Sequence, residues 1–169
     1  MIKIKICGIT NTEDALLASS LGADALGFIF TKKSPRFIEA KEAKKIIAKL
    51  GPLITRVGVF LDEQKEEAER VAVSLGLDVL QFHGAESPSY CSFFRKKFRV
   101  IKTLFPQNQN ITRLVKSYKV DAFLLDIKLG EKKSGRKILD TSVLKEAKKI
   151  IEGGVKLIIS AGLNPGNLD

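Results

Sequence analysis

Ile2-Lys3-Ile4-Lys5-Ile6-Cys7-Gly8-Ile9-Thr10 alternates between apolar and polar side chains until it meets a glycine. Period-two alternation marks a strand covered on one face, so Ile2, Ile4 and Ile6 share one side while Lys3, Lys5 and Cys7 share the other. Asn11-Thr12 then offers a helix cap ahead of Glu13-Asp14-Ala15-Leu16-Leu17-Ala18. The thiol of Cys7 is therefore placed at the C-terminal tip of a strand, facing away from the helix that follows. In parallel α/β proteins ligands bind at such tips.

The same unit recurs along the chain. Further strands are expected at Ala23–Phe30, Arg56–Leu61, Val79–His83, Arg99–Leu104, Ala122–Asp126 and Val155–Ser160. Helices are expected over Ala40–Leu50, Glu63–Leu75, a span opening after Ser87-Pro88, Ile111–Tyr118 and Ser142–Ile151, with Gly76 as a left-handed cap. Short apolar strands alternating with amphipathic helices imply a parallel sheet with right-handed crossovers. An open doubly wound sheet and a closed barrel both satisfy that pattern. Polar residues at one parity (Lys3, Lys5 and Cys7, then Gln81 and His83) tip the reading toward a barrel whose interior opens into a site. The pattern gives an α/β fold class, one domain over 1–169 with seven strands, in which the barrel is only modestly favoured over the open sheet.

Composition removes several classes of function. A chain of 169 residues, 44% hydrophobic, supplies one soluble core. No apolar run approaches the ~20 residues of a membrane span, and the N-terminus lacks the pattern of a secretory leader, so a cytoplasmic protein is expected. Cys7 and Cys91 have no disulfide or metal spacing, and Cys91, within Tyr90-Cys91-Ser92-Phe93-Phe94, reads as a small core residue. The net charge of +10 raises the question of nucleic acid. The lysines, however, fall on helical faces among glutamates, as in Lys41-Glu42-Ala43-Lys44-Lys45, and no Arg-rich run carries interleaved aromatics. A solvated surface accounts for them better.

Seven motifs then fall in order across the chain: Lys5-Ile6-Cys7-Gly8-Ile9-Thr10, Gly22-Ala23-Asp24-Ala25-Leu26-Gly27-Phe28-Ile29-Phe30, Ser34-Pro35-Arg36, Val57-Gly58-Val59-Phe60, Leu80-Gln81-Phe82-His83-Gly84, Leu124-Leu125-Asp126 and Ala161-Gly162-Leu163-Asn164-Pro165. Together they resemble the phosphoribosylanthranilate isomerases of tryptophan biosynthesis. The resemblance implies an α/β fold of the (β/α)8 TIM-barrel type, here a single barrel domain over 1–169 incomplete after the seventh strand, with the eighth βα unit missing from this chain. It also implies an Amadori rearrangement of a phosphorylated small molecule, with no metal and no redox cofactor. By that resemblance Asp126 is the general acid and Cys7 the general base. Arg36 grips the anthranilate carboxylate, while Gln81, His83 and Gly162 contact substrate. Arg136 and Lys137 meet the phosphate as charges.

The residues taken alone leave other roles open. Cys7 could be a buried small residue, Asp126 a turn or cap residue, Arg36 a surface side chain and His83 a structural histidine. The sequence also departs from the family in two places. Lys133-Ser134-Gly135-Arg136-Lys137 stands where a glycine-rich loop would bring backbone amides to phosphate, and Ala161 replaces a glycine after the seventh strand. With the eighth unit missing, the first and seventh strands would present open edges, which a homodimer could pair. Two functions follow: an isomerase, or a degenerate homologue with weak or no activity that serves as a binding or assembly module.

Overall fold

The computed structural model describes residues 2–105, 111–126, 141–160 and 163, with the backbone alone at 141, 142 and 144. The chain divides into two compact units, Met1–Val100 and Ile101–Asp169.

In the first unit the order is β1 (Lys5–Cys7), α1 (Thr12–Ser20), β2 (Ala25–Ile29), α2 (Ala40–Ile47), β3 (Thr55–Phe60), α3 (Lys65–Leu75), β4 (Val79–Phe82) and α4 (Pro88–Phe94). Strands β1 to β4 pair in parallel in chain order, with Cys7 beside Gly27, Gly27 beside Val57, and Val57 beside Val79. Residues in one such row point the same way, so Lys5, Cys7, Gly27, Ile29, Val59 and Gln81 share a face. The opposite face belongs to the helices. Leu26, Phe28, Phe60, Leu80 and Phe82 on it are fully buried. Phe82 meets Tyr90 and Phe94 of α4 at ring-centroid distances of 5.0 and 5.1 Å.

The helices form where the spacing allows one buried stripe. Helix α3 buries Ala68, Val71, Ala72 and Leu75, one face of a 3.6-residue period, and Gly76 ends it at φ 58°. Asn11 caps α1 by accepting from the Asp14 amide at 2.8 Å. Helix α2 stops at Ile47 instead of Leu50, because Lys49 and Leu50 close tighter turns onto Ile46 and Ile47 at 3.0 and 3.1 Å.

Strand β1 is shorter than its alternation suggested. The ladder begins at Lys5, opposite Ala25, and Asp24 takes the residues before it: its carboxylate accepts from the Ile4 amide at 2.8 Å and from Lys3 Nζ at 2.6 Å. The isoleucine face is also more open than expected, with Ile2, Ile4 and Ile6 exposed by 88%, 53% and 42%. Helix α1 buries only Ala15. Its Leu17 and Leu21 line an open apolar groove with Ile4, Ile6 and Ile9.

Strand β5 (Arg99–Leu104) begins at the end of the first unit and runs into the second, which then holds α5 (Ile111–Ser117), β6 (Ala122–Leu125), α6 (Thr141–Glu152) and β7 (Leu157–Ile159). Its strands are again parallel, Leu104 beside Leu125 and Leu125 beside Ile159. Leu104, Phe123 and Leu125 pack with Ile111 of α5 and with Ala147 and Ile150 of α6. Glu146 ties the two helices, accepting from the amide and hydroxyl of Thr112 at 3.1 Å each.

Burial separates two substitutions on this scaffold. Phe82→Ala empties a fully enclosed site and is expected to cost about 3–5 kcal/mol in urea unfolding. Ile6→Ala on the open groove is expected to cost less than about 1 kcal/mol in the same measurement.

Candidate active site

The thiol is held by a pinned turn. Gly8 leaves β1 at φ 88°, a left-handed backbone that side chains resist, and the amides of Gly8 and Ile9 both donate to the Gly27 carbonyl at 2.9 and 3.0 Å. Beside Cys7, a Cβ at Gly27 would lie 2.8 Å from Sγ and 3.0 Å from Lys5 Nζ. The thiol and the ammonium therefore fill the volume that any larger residue at 27 would claim.

Arg36 arrives over the same spot from the loop after β2. Ile29 bridges to Phe37, the Ile38 amide returns to the Ile29 carbonyl at 3.0 Å, and the Arg36 amide donates to Ser34 Oγ at 3.1 Å. The loop is thus folded back on its strand and the guanidinium lies across Gly8. A Cβ at Gly8 would meet Arg36 Cδ at 2.6 Å and Nη1 at 2.7 Å. Nη1 donates to the Cys7 carbonyl at 2.6 Å, which leaves the rest of the planar fork to a ligand anion. Cys7, Lys5 and Arg36 converge around two glycines.

A second cluster sits on β4. Gln81, 2% exposed, shares the face of Cys7, and its Nε2 lies 3.2 Å from His83 Nδ1. Beyond β4, Glu86 is buried although it is a carboxylate. It accepts from the amides of Asp62 and Gly84 at 2.9 Å each, while Asp62 accepts from the Ala85 amide at 2.6 Å. Tyr90 of α4 adds a strut to the loop after β3, its hydroxyl donating to the Glu63 carbonyl at 2.8 Å. Burial first, then the Glu86 and Glu63 carboxylates, push its phenol above the ordinary tyrosine range.

In the second unit Asp126 follows β6 directly. Its amide donates to the Leu104 carbonyl at 3.1 Å, and the residue is 5% exposed. Leu125 packs toward the helices, so Asp126, next in the alternation, falls on the other side of the sheet. Each unit therefore carries one proton-transfer candidate at a strand's C-terminal tip. Arg136, Lys137 and Gly162 lie outside the described residues. Among the described residues no trio of His, Cys, Asp and Glu is grouped as a metal site.

Asp62 and Glu86 escaped the sequence reading. Each is a carboxylate just past a strand end, which by itself signals nothing. Only the register that sets Phe60 beside Phe82 makes positions 62 and 84 neighbours.

The family described as N-(5'-phosphoribosyl)anthranilate (PRA) isomerase matches residues 4–169. The N-(5'-phosphoribosyl)anthranilate isomerase of Geobacter sp. (strain M21) is 40% identical over 169 residues, covering 99% of this chain and 80% of that protein. The crystal structure of phosphoribosyl anthranilate isomerase from Thermus thermophilus superposes with a TM-score of 0.87 at 36% identity, over 99% of this chain and 80% of that one. A solved isomerase in complex with reduced 1-(o-carboxyphenylamino)-1-deoxyribulose 5-phosphate superposes with a TM-score of 0.80 at 33% identity, over 99% of this chain and 79% of that one. Among the described residues no helix is long and apolar enough to cross a membrane.

The two cysteines differ in exposure, Cys7 half-buried at a strand tip and Cys91 fully buried on α4. Treatment of the folded protein with iodoacetamide is expected to modify Cys7 and spare Cys91, as read by peptide mass mapping.

Proposed function

The chain belongs to the N-(5'-phosphoribosyl)anthranilate isomerase family and has its (β/α)8-type fold, and we propose that Asp126 and Cys7 divide between them the two proton transfers of that reaction. The substrate is an aminoaldose, N-(5-phosphoribosyl)anthranilate, and the product is 1-(2-carboxyphenylamino)-1-deoxyribulose 5-phosphate, an intermediate of tryptophan biosynthesis. As acid, Asp126 gives a proton to the ribose ring oxygen. The bond from C1 to that oxygen breaks and the nitrogen lone pair closes an iminium. As base, the Cys7 thiolate takes the proton from C2, and the electrons of that bond form the C1–C2 double bond of an enolamine as the iminium pair returns to nitrogen. Tautomerisation then delivers the ketone. Every step moves a proton, so an acid and a base of different intrinsic strength suffice.

The observation that carries this reading is the guanidinium of Arg36 laid across Gly8 and bonded to the Cys7 carbonyl. It sets a fork for a planar carboxylate beside a thiol, which is what an anthranilate carrying a reactive ribose requires. Gln81 and His83, on the same face of the first unit, are proposed to contact substrate, and Arg136, Lys137 and Gly162 to serve the phosphate end. The alternative, a homologue without turnover, is not favoured for a chain whose family match runs from residue 4 to residue 169. For assembly, we propose a second copy along the outer edge of β1, where Ile4 and Ile6 are exposed by 53% and 42%. Sedimentation equilibrium is expected to find a dimer, and a monomer at all concentrations would overturn that arrangement.

Cys7→Ala and Asp126→Ala are each expected to lower kcat by about 10²–10⁴-fold, the range of general acid–base catalysis. Arg36→Met removes a charged hydrogen-bonding fork from ground state and transition state alike. It is expected to raise KM by about ten- to a hundredfold with little change in kcat. An unsubstituted chain that shows no turnover of the phosphoribosyl anthranilate would overturn the assignment.

A further inference from the structure

The loops after β3 and β4 are joined by two carboxylates that the reaction itself does not use. Strand β3 ends at Phe60 beside Phe82 of β4, so the two exits leave the sheet together. Asp62 takes up a left-handed backbone at φ 53°, the single non-glycine residue among those described with a positive φ. That turn aims its amide at Glu86 Oε1, 2.9 Å away, and brings its own Oδ1 to the Ala85 amide at 2.6 Å. Glu86 reciprocates: Oε1 and Oε2 accept from the Gly84 amide at 3.2 and 2.9 Å. A Cβ at Gly84 would run into the Asp62 carboxylate, so glycine is required there for the close approach of a neighbouring side chain. Three consecutive loop positions, Gly84 to Glu86, are thereby fixed to the end of the adjacent strand.

Next in the chain before this clasp is His83, whose amide donates to the Phe60 carbonyl at 2.8 Å and whose ring meets Gln81. We propose that Asp62 and Glu86 are positioning residues, a carboxylate clasp that sets the orientation of His83 and Gln81 toward substrate. Those two side chains contact substrate only on the reading given under Proposed function, and the clasp's catalytic consequence rests on that reading.

The chemistry dictates which substitutions separate positioning from mere stability. Glu86→Gln keeps an oxygen for the Asp62 amide but turns an N–H2 toward the Gly84 amide, where donor meets donor. Asp62→Gly keeps the left-handed backbone and deletes the acceptor for Ala85. Asp62→Asn keeps both, since asparagine tolerates that conformation and its side-chain oxygen still accepts. His83 is the sole histidine of the chain, so its imidazole protons give one assignable set of NMR signals.

Three readouts are taken on the full chain and on each variant: KM and kcat for N-(5-phosphoribosyl)anthranilate, the imidazole resonances of His83, and the thermal midpoint. Glu86→Gln and Asp62→Gly are expected to raise KM about tenfold, the loss of one charge-assisted bond's worth of order, with kcat altered less than about threefold. Both are expected to shift the His83 resonances, while Asp62→Asn restores KM and resonances to those of the unsubstituted chain. Lowered midpoints with unchanged KM and unchanged His83 resonances would overturn the proposal and reduce the clasp to a structural brace. Should Asp62→Gly fail to fold, Glu86→Gln decides the question alone. An unsubstituted chain without turnover would sink the isomerase reading, yet the His83 resonances would still show whether the clasp holds that ring.

Discussion

A parallel strand has two faces and one helix layer to cover them, and this inequality organises the molecule. Phe28, Phe60, Leu80 and Phe82 in the first unit, and Leu104, Phe123 and Leu125 in the second, use the covered face. The residue of opposite parity at each strand tip is released from packing and becomes available to chemistry. Cys7 and Asp126 are such residues, each in its own unit. Because neighbouring parallel strands keep alternation in step, a shift of one position would send every phenylalanine out and every polar tip residue under the helices. The register bonds of β1 to β4, and of β5 to β7, are thus a condition of where each unit's tip residue faces.

Much of this was legible in the chain. The alternation through Ile6 and Cys7 fixed which side the thiol takes, and the polar parity of Gln81 and His83 agreed with it. Gly76 ended α3 in a left-handed turn as its position implied, and Cys91 went to the core. Periodicity records only the demand for a covered face, however, and says nothing of whether a neighbour arrives to cover it. Ile2 and Ile4 carry the pattern of a buried face, yet no element among the described residues encloses them, and the ladder starts only at Lys5. Strand ends depend on the partner's start, which Asp24 set here by capturing Ile4 and Lys3.

The candidate site was legible in its reactive groups and illegible in their supports. A thiol, a guanidinium and a carboxyl group announce themselves by residue type. Glycines 8 and 27 do not, because their role lies in what stands where a Cβ would be: the Arg36 guanidinium over one, the thiol and Lys5 over the other. The Asp62–Glu86 clasp joins residues 24 positions apart. Its two halves are unremarkable in isolation, and only the β3–β4 register turns them into partners.

The clasp also settles why a strained residue persists at position 62. A left-handed backbone costs a non-glycine residue roughly 1–2 kcal/mol. A hydrogen bond to a charged group returns about 1.5–3 kcal/mol when its donor would otherwise be stranded. The amides of Asp62 and Ala85 both find carboxylate acceptors by virtue of that one turn. Glycine at 62 would relieve the strain but lose the acceptor for Ala85, and a longer glutamate would have to fold its extra methylene against Gly84, where the carboxylate already fills the space of a Cβ. Aspartate is short enough to fit and polar enough to bond, so the strain is retained because it is the smaller of the two energies, and the loop that follows His83 is fixed as a consequence.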